Sequence, residues 1–147
     1  MAGRHITVDA TVIDPIVFSH DHLDKFFRGM CEVLNMEIIF GPVFKDVELD
    51  PAKLANVQAG GKFQDEGGTT GVVVISTSHI SIHTWELRKF FQLDVFSCKD
   101  FDGKLALEYV RKHLGVTQEA VCEIVRYDET TAPTVVQTKT NNLFTTL

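Results

Sequence analysis

The stretch from Thr70 to Cys98, TGVVVISTSHISIHTWELRKFFQLDVFSC, decides how this chain is read. An apolar strand, Val72 to Ile75, leads into a run that holds Thr77, Ser78, His79, Ser81, His83 and Thr84, and a second apolar run, LDVFSC, ends on Cys98. A core strand has no use for hydroxyls, imidazoles and a thiol gathered between apolar runs. A reaction does.

The flanking sequence supplies a scaffold for that stretch. Residues 4–13, RHITVDATVI, alternate, with Ile6, Val8, Ala10 and Val12 on one face and His5, Thr7, Asp9 and Thr11 on the other. Period two marks a half-buried strand whose second face is unusually polar. Ser19 is a helix N-cap with Asp21 in the first turn, and Leu23, Phe26, Phe27, Met30 and Leu34 follow at helical spacing. Residues 36–49 read as a strand interrupted at Gly41 and Pro42. Residues 50–70, with four glycines and little periodicity, read as a long loop. Beyond the central stretch, Asp102 caps a second helix with Ala106, Leu107, Val110 and Leu114 on its apolar face and Gly115 as its stop. Residues 119–127 alternate again as a last strand. The tail, 129–147, carries no core pattern and is read as a mobile extension of a single domain spanning 1–128.

Strand, helix, a run of strands, helix and strand make an α+β fold. The layout is a two-layer sandwich: an antiparallel sheet with two helices on one face. The other face carries His5, Thr7 and Asp9, and a face of that polarity either lines a site or meets a second subunit.

Composition narrows the function classes. The 147 residues carry a net charge of −6 with no block of Lys or Arg, which excludes the basic footprint of nucleic-acid binding. With 44% hydrophobic and 23% charged residues the chain is ordinary for a soluble domain, and its apolar runs are too short to span a bilayer. The start, Met1 to Asp9, lacks the apolar segment of a signal peptide, so a cytoplasmic location is expected. Three cysteines without close spacing argue against a disulfide framework. Cys31 and Cys122 read as core thiols.

The run GVVVISTSHISIHT followed by DVFSC resembles the small prokaryotic S-adenosylmethionine decarboxylases, and GRHITVD at residues 3–9 matches that family's amino-terminal strand. The resemblance implies self-cleavage between Thr77 and Ser78, with Ser78 becoming a pyruvoyl cofactor. It gives His83 the role of base in processing, Thr70 that of an orienting hydroxyl, and Cys98 that of proton donor. It implies a Schiff base between the pyruvoyl ketone and the amine of a small-molecule substrate, S-adenosylmethionine, in polyamine (spermidine) synthesis. It also implies a homodimer, in which two sheets pair into a four-layer αββα assembly. Phe63, following Lys62, resembles the family's adenine-stacking phenylalanine, and Asp9 aligns with an acidic residue of the family's first strand; Phe63, Asp9 and Glu86 are the expected substrate contacts.

Spacing makes a separate suggestion. If residues 79–85 and 93–98 form a hairpin with its tip near Phe90 and Phe91, His83 stands opposite Cys98, and imidazole and thiol can exchange a proton. Zinc is the rival reading of His79, His83 and Cys98, but histidines four apart on a strand are about 13 Å apart at about 3.3 Å per residue, so no metal is assigned. A hydrolase lacks its GxSxG elbow here.

Departures from the family pattern keep two alternatives open. Thr77 stands where the family usually has glutamate, and Trp85 to Lys89, WELRK, lacks the family's proline and glycine and sets Glu86 one place early. The alternatives are pyruvoyl-dependent decarboxylation of ornithine or arginine, and a binding or regulatory homologue that never cleaves.

Overall fold

The computed structural model describes residues 3–64 and 66–126, together with the backbone of 134–140. Nine residues of alternating polarity form β1 (Arg4–Val12), in which Ile6, Val8, Ala10 and Val12 are buried. Ser19 caps α1 (His20–Val33), its hydroxyl accepting the His22 N–H. That helix buries Leu23, Phe26, Phe27, Met30 and Cys31 against the sheet. The strand β2 (Ile38–Val47) loses register on either side of Phe40, next to Gly41 and Pro42, as the sequence indicates. Then come α2 (Pro51–Gln58), β3 (Gly68–Ile75), β4 (Ser78–Trp85), β5 (Phe90–Ser97), α3 (Gly103–Leu114), β6 (Val116–Val125) and β7 (Thr134–Thr140).

All seven strands lie in one antiparallel sheet of order β2-β3-β4-β5-β1-β6-β7. The faces of α1 and α3 cover one side of it, with Phe18, Phe91, Ile80, Ile82 and Leu93 fully buried beneath them. Burying each such side chain contributes about 1.5–3 kcal/mol, which is why the two-layer α+β reading holds. The opposite face presents His5, Thr7, Asp9, His79, Ser81 and His83, all half-buried.

Three expectations change. The loop at 50–70 begins with a helix: Asp50 accepts the Ala52 N–H and Pro51 opens the first turn, a capping signal outweighed in the sequence by the glycines that follow. This α2 buries none of its residues, so the two-helix layer is unaffected. Within the tail, Thr134–Thr140 pairs with β6 as a seventh strand; residues 127–133 and 141–147 lie outside the described residues. Cys31 is a core thiol, and burial pushes it up to about 11, but Cys122 pairs with Thr7 and is only partly buried.

The central hairpin differs most. Its turn runs through Glu86–Arg88 and ends on Lys89 in the left-handed conformation, φ 51°. Register therefore sets His83 opposite Gln92, and Ser78 opposite Ser97. Cys98 is not across from His83; it lies beyond the other end of the ladder.

Candidate active site

The turn between β3 and β4 is Ser76 and Thr77, and β4 starts on Ser78 with φ 150°. L-residues seldom adopt that backbone, which costs on the order of 1–3 kcal/mol unless the surroundings hold it. The end of β5 holds it. The Thr77 carbonyl accepts the Cys98 N–H at 2.9 Å. The Thr77 hydroxyl accepts from Ser97 Oγ at 2.8 Å, and Ser97, itself buried, accepts the Lys99 N–H at 3.0 Å. Ser78 Oγ lies 3.0 Å from His79 Nδ1. Thr77, Ser78 and Cys98, named separately from the sequence, thus come together at one end of the β4–β5 ladder, with the thiol exposed. Ser97 escapes a reading of the sequence, because a serine inside an apolar strand looks like a neutral filler.

Farther along the same face is a second group. Thr70 and His83 are register partners, and Thr70 Oγ1 meets His83 Nδ1 at 2.6 Å. Together with Thr7, Asp9, Gln92 and Asp94 they line a concavity of about 430 Å³. His83 lies five positions along the strand from Ser78, about 17 Å at about 3.3 Å per residue, so the two groups are separate within one chain.

Asp9 faces Gln92 across the β1–β5 ladder. Burial pushes its carboxyl above the ordinary value of 3.8; the Gln92 hydrogen bond pulls it down, and the nearby Asp94 charge adds to the rise. A carboxyl raised by folding binds its proton better in the folded state, so it lowers stability as pH rises through this range. Asp9→Asn is therefore expected to melt higher than the wild type at pH 7, with the gap closing as pH falls toward 3.8. A wild type that melts higher at pH 7, or a gap that ignores pH, would contradict that assignment.

Phe63 stacks edge-on to Trp85 at 5.3 Å and to Phe90 at 6.0 Å, and Trp85 meets His83 at 4.2 Å between ring centroids. The loop bearing Phe63 is fastened by Arg88, a residue that no motif in the sequence singles out. Its guanidinium donates to Glu66 Oε1 at 2.7 Å and to the carbonyls of Gly61 and Lys62, and it sits 5.7 Å from the Phe63 ring. Glu86 goes elsewhere. It meets the hydroxyls of Thr69 and Thr84 on the helix side of the sheet, and lines a different concavity with His20 and Asp46. Gly68, with φ 107°, lets the start of β3 pass against the end of β4, since a Cβ there would stand 1.6 Å from the Thr84 carbonyl oxygen.

Among the described residues no cluster of three or more His, Cys, Asp or Glu is arranged to hold a metal ion, and no helix is long and apolar enough to cross a membrane. The arrangement offers a strained serine peptide, a held carbonyl, an adjacent imidazole and an exposed thiol.

Residues 4–127 match the family model described as S-adenosylmethionine decarboxylase. Among curated relatives, the S-adenosylmethionine decarboxylase proenzyme of Pyrococcus abyssi is 28% identical over 126 residues, covering 84% of this chain and 78% of that protein. The proenzyme of Clostridium botulinum (strain Loch Maree / Type A3) is 32% identical over 109 residues, covering 73% of this chain and 91% of that protein. Among solved structures, the adenosylmethionine decarboxylase from Aquifex aeolicus superposes with a TM-score of 0.62 at 23% identity, covering 88% of this chain and 96% of that one, a likeness that shows the fold.

Proposed function

The chain belongs to the S-adenosylmethionine decarboxylase family, and from that premise we propose that it is a proenzyme cut between Thr77 and Ser78, which then decarboxylates S-adenosylmethionine on a pyruvoyl group made from Ser78. The enzyme is a carboxy-lyase, and its product is the aminopropyl donor of polyamine synthesis. The observation that carries the reading is the backbone of Ser78: φ 150° at the serine whose preceding carbonyl is held by an amide donor. Strain at a scissile peptide is relieved when that peptide is cut. The same set of groups fits a pyruvoyl group at position 78, because Cys98, its thiol exposed, holds the carbonyl next to that position.

When present, the pyruvoyl group supplies an electron sink for the charge left as carbon dioxide departs. The chain's own residues do the rest. Thr70 orients His83, whose imidazole serves as base for the serine α-proton during processing. Cys98 delivers a proton to the substrate carbon after decarboxylation. Phe63, held by Arg88 beside Trp85, and Asp9 on the outer face are proposed substrate contacts. Glu86 lies on the helix side with Asp46, away from this face.

The two half-sites favour a homodimer. Thr70–His83 and Ser78–Cys98 lie about 17 Å apart on one face, too far to act on the same atoms within one chain. Isologous pairing of that face sets the His83 end of one copy over the Ser78 end of its partner.

The deciding experiment is an intact mass under denaturing conditions, followed by carbon dioxide release from S-adenosylmethionine, ornithine and arginine in turn. Two fragments split after Thr77, the second with a blocked amino terminus, and release from S-adenosylmethionine are the expected results. Release from ornithine or arginine alone would keep the chemistry and replace the substrate. A single uncut chain, inactive on all three, would overturn the reading.

A further inference from the structure

We infer that His79 is the base that starts the self-cleavage, taking the Ser78 hydroxyl proton, a role distinct from that proposed for His83. The inference rests on the proposed processing before Ser78. Successive side chains of a regular strand point to opposite faces. In β4 that alternation sends Ile80 and Ile82 into the core and His79, Ser81 and His83 to the outer face. Ser78 and its neighbour should then diverge. They do not: Ser78 opens the strand with an unusual φ of 150°, and its Oγ lies 3.0 Å from His79 Nδ1. The strain that exposes the scissile peptide also aims the nucleophile at an imidazole.

The ring of His79 is held in turn. It packs against the Phe96 ring of its register partner at 5.8 Å, and His5 packs on the same Phe96 at 5.6 Å. His83 cannot serve here within the chain, being about 17 Å away along β4 and bonded to Thr70. With its proton on Nε2, His79 presents Nδ1 as an acceptor to the serine hydroxyl.

The step balances without another reactant. The Ser78 Oγ–H proton passes to His79 Nδ1 as Oγ bonds to the Thr77 carbonyl carbon. The Cys98 N–H, already on that oxygen, stabilises the oxyanion. Collapse breaks the bond from the Thr77 carbonyl carbon to the Ser78 nitrogen, which receives the proton back from His79. The product is an ester of Thr77 on Ser78 Oγ with a free Ser78 amine, the species on which removal of the α-proton then acts.

The test follows cleavage by intact mass in wild type, His79→Ala and His83→Ala, each also challenged with hydroxylamine, which cuts an ester and leaves a peptide bond whole. His79→Ala is expected to cleave about 10²- to 10⁴-fold more slowly, the usual scale of a general base. It should accumulate as a hydroxylamine-resistant chain with the wild-type melting transition and regain cleavage on addition of free imidazole. His83→Ala should accumulate a hydroxylamine-labile ester instead. Cleavage of His79→Ala at the wild-type rate, or an ester built up in it, would overturn the inference while leaving the proposed function intact. If His79→Ala does not fold, His79→Asn, which keeps an acceptor but no base, is read by the same criteria. A wild type that never cleaves would remove the proposed function and this inference together.

Discussion

Ser78→Ala is expected to persist as one uncut chain and to release no carbon dioxide from S-adenosylmethionine. Both consequences follow from one lost atom. Without Oγ there is no nucleophile for the Thr77 carbonyl, and without cleavage no cofactor is made. The fold should survive, because Ser78 contributes no core packing and the neighbouring hydrogen bonds, Cys98 N–H to the Thr77 carbonyl and Ser97 Oγ to the Thr77 hydroxyl, do not involve its side chain. Alanine inherits the φ of 150°, whereas Ser78→Gly accepts it freely, so the glycine variant should be the more stable of the two by about 1–3 kcal/mol. Denaturing mass spectrometry and thermal melts read both effects. Fragments in Ser78→Ala would mean that the chain is cut elsewhere or by another agent.

Cys98→Ala should separate processing from turnover. The contact that Cys98 makes with the Thr77 carbonyl is through its backbone N–H, which alanine keeps, so the proposed cleavage into two fragments should proceed. The exposed thiol is lost, and with it the proposed donor to the substrate carbon. A missing proton donor typically costs about 10²- to 10⁴-fold in rate, with KM little changed because ground-state binding is untouched. Single-turnover rates and KM, measured on the purified two-chain protein, distinguish the outcomes. Unchanged turnover would remove Cys98 from the chemistry; failed cleavage would place its thiol in processing instead.

What is legible in the sequence is whatever leaves a periodic trace. The alternation of β1 and the spaced apolar positions of α1 and α3, each with a capping side chain, are enough to define those elements and their buried faces. The proposed site residues also stand out, because Thr77, Ser78 and Cys98 are chemically out of place between apolar runs. Which of them meet is not legible. The β4–β5 turn has no glycine, proline or asparagine; it is a short helical turn closed by Lys89 in a left-handed conformation, and nothing in WELRK announces that. A tip at Phe90 and Phe91 shifts the ladder and pairs His83 with Cys98, whereas the register pairs His83 with Gln92. Likewise the Arg88–Glu66 clasp joins two loops, where the residues between them follow no periodicity that could predict contact.

The order of the strands has a bearing on what the proposed cleavage would leave. A cut before Ser78 puts β1, β2 and β3 in one fragment and β4 to β7 in the other. In the sheet, however, β1 lies between β5 and β6, paired along its length with both, and β3 is laddered to β4. Each fragment is thereby threaded through the other, and neither owns a complete core. The matured protein would hold together without a covalent link, yet its unfolding would become a dissociation. Its melting temperature should rise with protein concentration more steeply than that of the uncut precursor, whose proposed dimer gathers two chains rather than four, and its refolding should be of higher order in chain.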